Sequence, residues 1–217
     1  MSVRPVLGIV APLLLAFAVA GCAPSRVVLT GPEGERAEAF FAGRSAAVVF
    51  PVKASFSGIL APFARDAVPF LAGVNAPSPV EETVGLYDPL GRGVLFLAND
   101  GRRVEVSRGP AADIVGFQGG QPLESGDLSI ARVLSGGPGY TVSGGEAARN
   151  RDGGWSLSDG RQTLYSDPGR RFLVRAKYRL PGMTVEVTYP DRDSGGPPPR
   201  LTLSIHGARI TLRRDEE

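Results

Sequence analysis

The chain has 217 residues, 42% of them hydrophobic, with a formal net charge of +2, a single cysteine and a single histidine. That length is enough for one domain with a sizeable core. The near-neutral charge argues neither for nucleic acid nor for a strongly anionic surface as partner, and one cysteine excludes a disulfide within the chain.

Arg4 supplies a short positive start, and Val6 to Ala20 form an apolar run interrupted by Gly8 and Pro12. The run is too short for a transmembrane helix of about 20 residues but suits the apolar core of a secretory signal. It ends in Val19-Ala20-Gly21-Cys22. Small residues at Ala20 and Gly21 fit an extended chain into a peptidase groove, and the thiol that follows is the group to be acylated. This resembles the bacterial lipobox, and it implies cleavage before Cys22, with an N-acyl diacylglyceride (palmitate-type acylation) on that cysteine. The competing reading is an ordinary signal peptide whose cleavage site precedes a cysteine; a free thiol would then be an odd leftover in an exported chain. Removing residues 1–21 leaves 196 residues and a charge of +1. Apart from the acyl group, no cofactor is implied.

Ala23 to Pro32 reads as a tether, so residues 22–32 form the lipidated N-terminus and 33–217 a single domain. Glu33 to Arg44 suits a short helix with its acids early, where the helix dipole favours them. Ser45 to Lys53 is apolar and β-branched, broken by Pro51, and Ala54 to Leu60 continues it as strand. The Pro- and Ala-rich stretch 61–79 has no assigned structure; a helix followed by a loop is one option. Val84 to Tyr87, the turn Asp88-Pro89-Leu90-Gly91, and Gly93 to Ala98 make a hairpin. Asn99-Asp100-Gly101 turns the chain into a third strand, Arg103 to Ser107.

Ala111 to Phe117 and Gly126 to Leu134 read as two short helices, and Gly136 to Gly153 as loop. Six strands follow, at Trp155–Ser158, Gln162–Ser166, Arg171–Leu180, Thr184–Tyr189, Leu201–Ile205 and Ala208–Arg213. In Arg171–Leu180, Phe172, Val174, Ala176, Tyr178 and Leu180 share one face, and Arg171, Arg175, Lys177 and Arg179 share the other with Leu173. Period two of this kind means one face in an apolar interior and one in water. Consecutive half-buried antiparallel strands must cover a shared apolar face or curl around it. The expected fold is therefore α+β: a curved antiparallel half-barrel of about ten strands, with short helices covering its concave face.

This order of elements resembles the LolB-like outer-membrane lipoproteins, the lipoprotein-insertion receptor family with the LolA/LolB-type fold. The likeness rests on the lipobox at Cys22, the strand-Asp88-Pro89-Leu90-Gly91-strand unit, and the insert ending Leu134-Ser135-Gly136-Gly137-Pro138. Trp155, Tyr165 and Leu180-Pro181 add to it. Where such proteins carry several tryptophans in the first strands, Phe56, Phe63 and Phe70 stand here.

The resemblance implies a lipid-binding, chaperone-like protein-transport role. The chain would bind acyl chains of other lipoproteins, delivered by a periplasmic LolA-like carrier, and help insert them into the outer membrane. It would be a monomer, lipid-anchored and facing the periplasm, and Ala23 rather than Asp after Cys22 fits outer-membrane sorting. The alternative on the same scaffold is a structural or assembly-partner lipoprotein without acyl transfer.

By the same resemblance, Pro89, Leu90 and Gly91 form a membrane-delivery turn with Leu90 protruding. The residues alone also allow a plain hairpin turn whose leucine packs on a neighbouring loop. Candidates for an acyl-binding face are Phe172, Val174, Ala176, Tyr178, Val185 and Val187, any of which can equally be ordinary core in a barrel that fills its own interior. Nothing points to an enzyme. His206 lies at a turn with no Gly-x-Ser-x-Gly elbow. One histidine and one acylated cysteine do not make the usual zinc sites, so no metal is expected. The acids Glu81, Glu82, Asp191 and Asp193 sit beside turn residues and read as solvated.

Overall fold

Alternating apolar residues separated by Asp-, Asn- and Gly-rich turns dictate a meander, and in the computed structural model antiparallel hairpins make up most of the described residues. The structure describes residues 26–61, 66–109, 123–124, 128–180, 183–190, 197–205 and 208–215. Cys22, His206, Phe63, Asp191, Asp193 and the expected helix over 111–117 lie outside them.

In chain order the elements are β1 (Arg26–Val28), α1 (Gly31–Ala46), β2 (Val52–Ala61), β3 (Val68–Ser78), β4 (Glu81–Tyr87), β5 (Gly93–Asn99), β6 (Arg103–Arg108) and β7 (Leu123–Glu124). Then come α2 (Ile130–Leu134), β8 (Glu146–Asn150), β9 (Trp155–Ser158), β10 (Gln162–Ser166), β11 (Leu173–Leu180), β12 (Met183–Thr188), β13 (Arg200–Ile205) and β14 (Ala208–Arg214).

All strands join one antiparallel sheet in the order β1-β8-β9-β10-β11-β12-β13-β14-β2-β3-β4-β5-β6-β7. Two meanders, β2–β7 and β8–β14, are thus fused where the last strand pairs with β2, Leu212 opposite Gly58. The expected α+β half-barrel is present, with fourteen strands among the described residues in place of about ten.

This order forces two long crossings. β1 and β2 stand eight positions apart, and β7 and β8 twelve. At about 4.8 Å per strand, twelve positions in a flat sheet would separate them by roughly 58 Å. Curling the sheet shortens both crossings and lays α1 and the β7–β8 crossover over one face. Ala37 and Phe41 of α1, with Ala131, Val133 and Leu134 of α2, share one buried core with the strands. Phe40 meets Trp155 edge to face at 6.0 Å. At the start of α1, Glu33 takes the Arg149 guanidinium of β8, with Nη2 to Oε1 at 2.6 Å. That bond and the positive charge hold the Glu33 carboxyl below its usual range against the opposing pull of burial.

Four expectations are corrected. Residues 26–32, expected as tether, carry regular structure: Arg26–Val28 pairs with Ala148–Asn150, and α1 begins at Gly31 with Pro32 in its first turn, where a missing N–H costs nothing. Ser45 and Ala46 continue the helix, and the strand expected from Ser45 starts at Val52. The stretch left unassigned at 61–79 contains β3, an 11-residue strand. Phe70, Ala72, Val74 and Ala76 point inward there, a period hidden by small residues and by Pro69 and Pro77. Pro77 falls where the ladder with β4 is broken, so its missing N–H leaves no bond unmade. Lastly, the expected loop 136–153 contains β8, and of the helix expected over 126–134 the described residues are helical over Ile130–Leu134, with 126 and 127 outside the described residues.

Candidate functional site

The concave face is closed by the chain's own crossover, and polar contacts on four strands fasten it. From β4, Glu82 projects inward and is 2% exposed. Its carboxyl accepts from the Ser129 hydroxyl, from Ile130 N at 2.7 Å and from Ala131 N at 3.2 Å. These are the free donors at the start of α2, which any short helix must satisfy. Asn99 of β5 donates Nδ2 to Leu128 O at 2.8 Å. Tyr189, just beyond β12, donates its hydroxyl to Val133 O at 2.8 Å. Gly139 N donates to the Tyr178 hydroxyl of β11 at 3.1 Å. Gln162 of β10 brackets Tyr140, accepting from its N at 3.3 Å and donating to its O at 3.2 Å. Burial pushes the Tyr178 hydroxyl well above its ordinary pKa, so it stays protonated.

Glu82 overturns the reading of the 81–82 pair as solvated: Glu81 is exposed and Glu82 is buried. The strand period decides it, since Glu82 alternates with Val84 and Leu86 on the inward face. That alternation was visible in the sequence, but a lone acid beside a turn is normally solvated.

The expected acyl-binding residues separate into three groups. Ala176, Tyr178 and Val187 stand together on the concave face, 0%, 2% and 0% exposed, with Val185 partly buried against them. Val174 does not join them. The β10–β11 ladder shifts register there, pairing Tyr165 with Arg175 and Ser166 with Leu173. One extra residue in a strand reverses which side chains face inward. Leu173, assigned by alternation to the outer face, is therefore fully buried in the core. Phe172 precedes β11, in a turn whose Asp167 carboxyl accepts from Phe172 N at 2.7 Å. Its ring is buried between the guanidinium groups of Arg44 (5.7 Å) and Arg171 (5.3 Å).

Asp88 to Gly91 form a closed turn between β4 and β5. Gly91 N closes it onto Asp88 O at 2.9 Å, and Gly91 takes φ +79°, open to glycine at little cost. Asp88 locks the loop: Oδ1 accepts from Leu90 N at 3.0 Å and Arg92 N at 2.8 Å, and Oδ2 accepts from Arg92 Nε at 2.6 Å. Leu90 is left 79% exposed on this fixed backbone.

Burial opposes ionisation of Asp88, but the Arg92 amide and guanidinium outweigh it and hold the carboxyl below its ordinary value of 3.8. A lowered folded-state pKa adds stability that is complete above the ordinary value and lost as pH falls through the lowered one. Protection of the Leu90 and Arg92 amides, taken relative to their intrinsic exchange rates, should therefore be high near neutrality and fall in acid. Asp88→Asn should show no such acid step by NMR, and an unchanged step would remove Asp88 as the lock.

On the opposite face of the sheet, Tyr87 and Phe96 meet edge to face at 5.7 Å. Tyr87 lies over Gly85, where an added Cβ would fall 2.5 Å from its hydroxyl; Phe96 lies over Gly93 in the same way, at 2.5 Å from the ring. With exposed Leu71 and Ile59 nearby on β3 and β2 they form an outward apolar patch. Sequence reasoning missed it, although glycines alternating with aromatics were its signal.

Among known proteins, a LolA superfamily protein from Nitrosomonas europaea superposes over 83% of this chain and 91% of its own length. The TM-score is 0.50 at 13% sequence identity. The fold is LolA-like. A DUF1329 family protein from Desulfovibrio piger also aligns, over 86% of this chain and 92% of its own, with a TM-score of 0.45 and 11% identity. No protein-family model and no curated protein matches the sequence. At such identity the LolA-like likeness carries the arrangement of the strands and their cover, and no residue role.

Proposed function

We propose that this chain is an outer-membrane lipoprotein, anchored through acylated Cys22, that receives acyl chains of other lipoproteins and helps insert them into the membrane. The observation that carries the reading is Leu90, 79% exposed on a turn rigidified by Asp88. A leucine held in water forgoes roughly 1.5–3 kcal/mol of burial, which a bilayer or an acyl chain returns. Such a step breaks no covalent bond, so the role is non-enzymatic. The LolA-like half-barrel supports the reading because its concave wall is apolar and covered by a crossover rather than by a second sheet.

In this closed form Ala176, Tyr178 and Val187 are buried, at most 2% exposed, so an acyl chain must displace residues 128–140. Each hydrogen bond holding them contributes about 1 kcal/mol. A sixteen-carbon chain gains about 0.8 kcal/mol per CH₂ taken out of water, on the order of 12 kcal/mol in all, to set against those bonds and the apolar contacts of Ala131, Val133, Leu134 and Tyr140. The donor would be a periplasmic LolA-like carrier.

The filled interior is also what a structural or assembly-partner lipoprotein would show, and that is the second reading. Depletion in the native host separates the two. Acyl transfer requires other lipoproteins to accumulate in the periplasm, whereas their normal arrival in the outer membrane would leave the structural role.

A further inference from the structure

A cavity of about 300 Å³ opens between the C-terminal end of α1, the start of β2 and the Ser135–Gly137 turn. Its charged lining is entirely basic: Arg44, Lys53 and Arg214, with no carboxylate among the described lining residues. Each cation comes from a different element. Arg44 is held in place by donating to Arg171 O and by the Phe40 ring at 5.3 Å. Arg214 lies over Phe56 at 5.8 Å, and its Nη1 is buried with no hydrogen-bond partner among the described residues. A buried guanidinium N–H left unpaired costs more than an ordinary hydrogen bond is worth; having no accessible surface, it reaches an acceptor in the cavity only once the side chain shifts. Lys53 is exposed at the cavity mouth. Beside it Val49, also lining the cavity, is 81% exposed.

Three cations around one cavity, one of them with an idle donor, match a phosphate group, which arginine forks bind in two places at once. The apolar rim at Val49 matches hydrocarbon attached to that phosphate. We propose that this cavity binds the phosphate of an anionic phospholipid head group, with Val49 against the start of the acyl region. The site lies at the edge of the cover, sharing Ser135–Gly137 with it, but does not rest on acyl transfer.

The test uses chain beginning at Ala23, which retains all fourteen strands and both helices. Vesicles of phosphatidylcholine alone and vesicles containing phosphatidylglycerol are compared by co-sedimentation, with inorganic phosphate titrated separately by calorimetry. Binding should favour the phosphatidylglycerol vesicles and fall at least tenfold in Lys53→Glu and in Arg214→Gln. Arg102→Glu, with the same charge change as Lys53→Glu at the distant β5–β6 turn, should bind normally. Lys53 is exposed, so its variant remains informative if Arg214→Gln folds poorly. Equal binding to both vesicles, an equal loss in Arg102→Glu, or phosphate binding without vesicle binding would each overturn the proposal.

Discussion

Replacing Leu90 by glutamate should abolish lipoprotein delivery while leaving the fold intact. The side chain is 79% exposed and the turn is held by backbone bonds to Asp88 that do not involve it. A surface change of this kind normally alters stability by no more than about 0.5 kcal/mol. Contact with hydrocarbon is a different matter. Losing about 2 kcal/mol of burial weakens the membrane step about thirtyfold, and an ionised carboxylate adds the cost of desolvation. In cells depleted of the native protein, L90E should therefore accumulate to normal levels, melt at the normal temperature and fail to restore outer-membrane lipoproteins. Full rescue would mean that the leucine is a bystander at an ordinary hairpin.

Glu82→Ala should have the opposite signature, a structural loss concentrated on the crossover. It strands the Ser129 hydroxyl and the Ile130 and Ala131 amides at once in a buried setting. Unpaired buried donors cost about 1–3 kcal/mol each, and partial relaxation toward water should bring the total to about 3 kcal/mol. For a domain of this size that is a fall of about 6–12 °C in melting temperature. Glu82→Gln retains one acceptor oxygen and should fall in between. Hydrogen exchange should localise the damage to residues 128–140, with β11 to β14 protected as before. A uniform loss of protection would show that Glu82 supports the whole sheet rather than its cover.

These two residues also mark the boundary of what the chain's pattern discloses. The Leu90 turn was legible because Asp-Pro-Leu-Gly between two apolar runs has few other conformations, and the last strands were legible because their period-two pattern is long. Glu82 was not, since an acid beside a turn is buried only when a distant segment brings donors to it, and those come from residues 129–131. Val174 failed for a related reason. Alternation tells which residues share a face until a bulge inserts one, and the bulge is set by the pairing with Ser166 on another strand. β3 was concealed by Ala, Gly and Pro, which carry little β-propensity; its long pairing with β2 supplies what propensity does not. β1 has only three residues and is a strand because β8 offers an edge. Local chemistry thus disclosed the hairpins, while every element that depends on the fourteen-strand order needed the assembled sheet.

The central claim is that the concave face accepts an acyl chain when residues 128–140 move aside. Native mass spectrometry of chain beginning at Ala23, mixed with a triacylated lipopeptide and followed by hydrogen exchange, tests it most directly. A one-to-one complex is expected, with faster exchange at Ile130 to Tyr140 and undiminished protection of β11 and β12. No complex, with exchange over 128–140 unchanged by the lipopeptide, would contradict it and leave the interior a closed core.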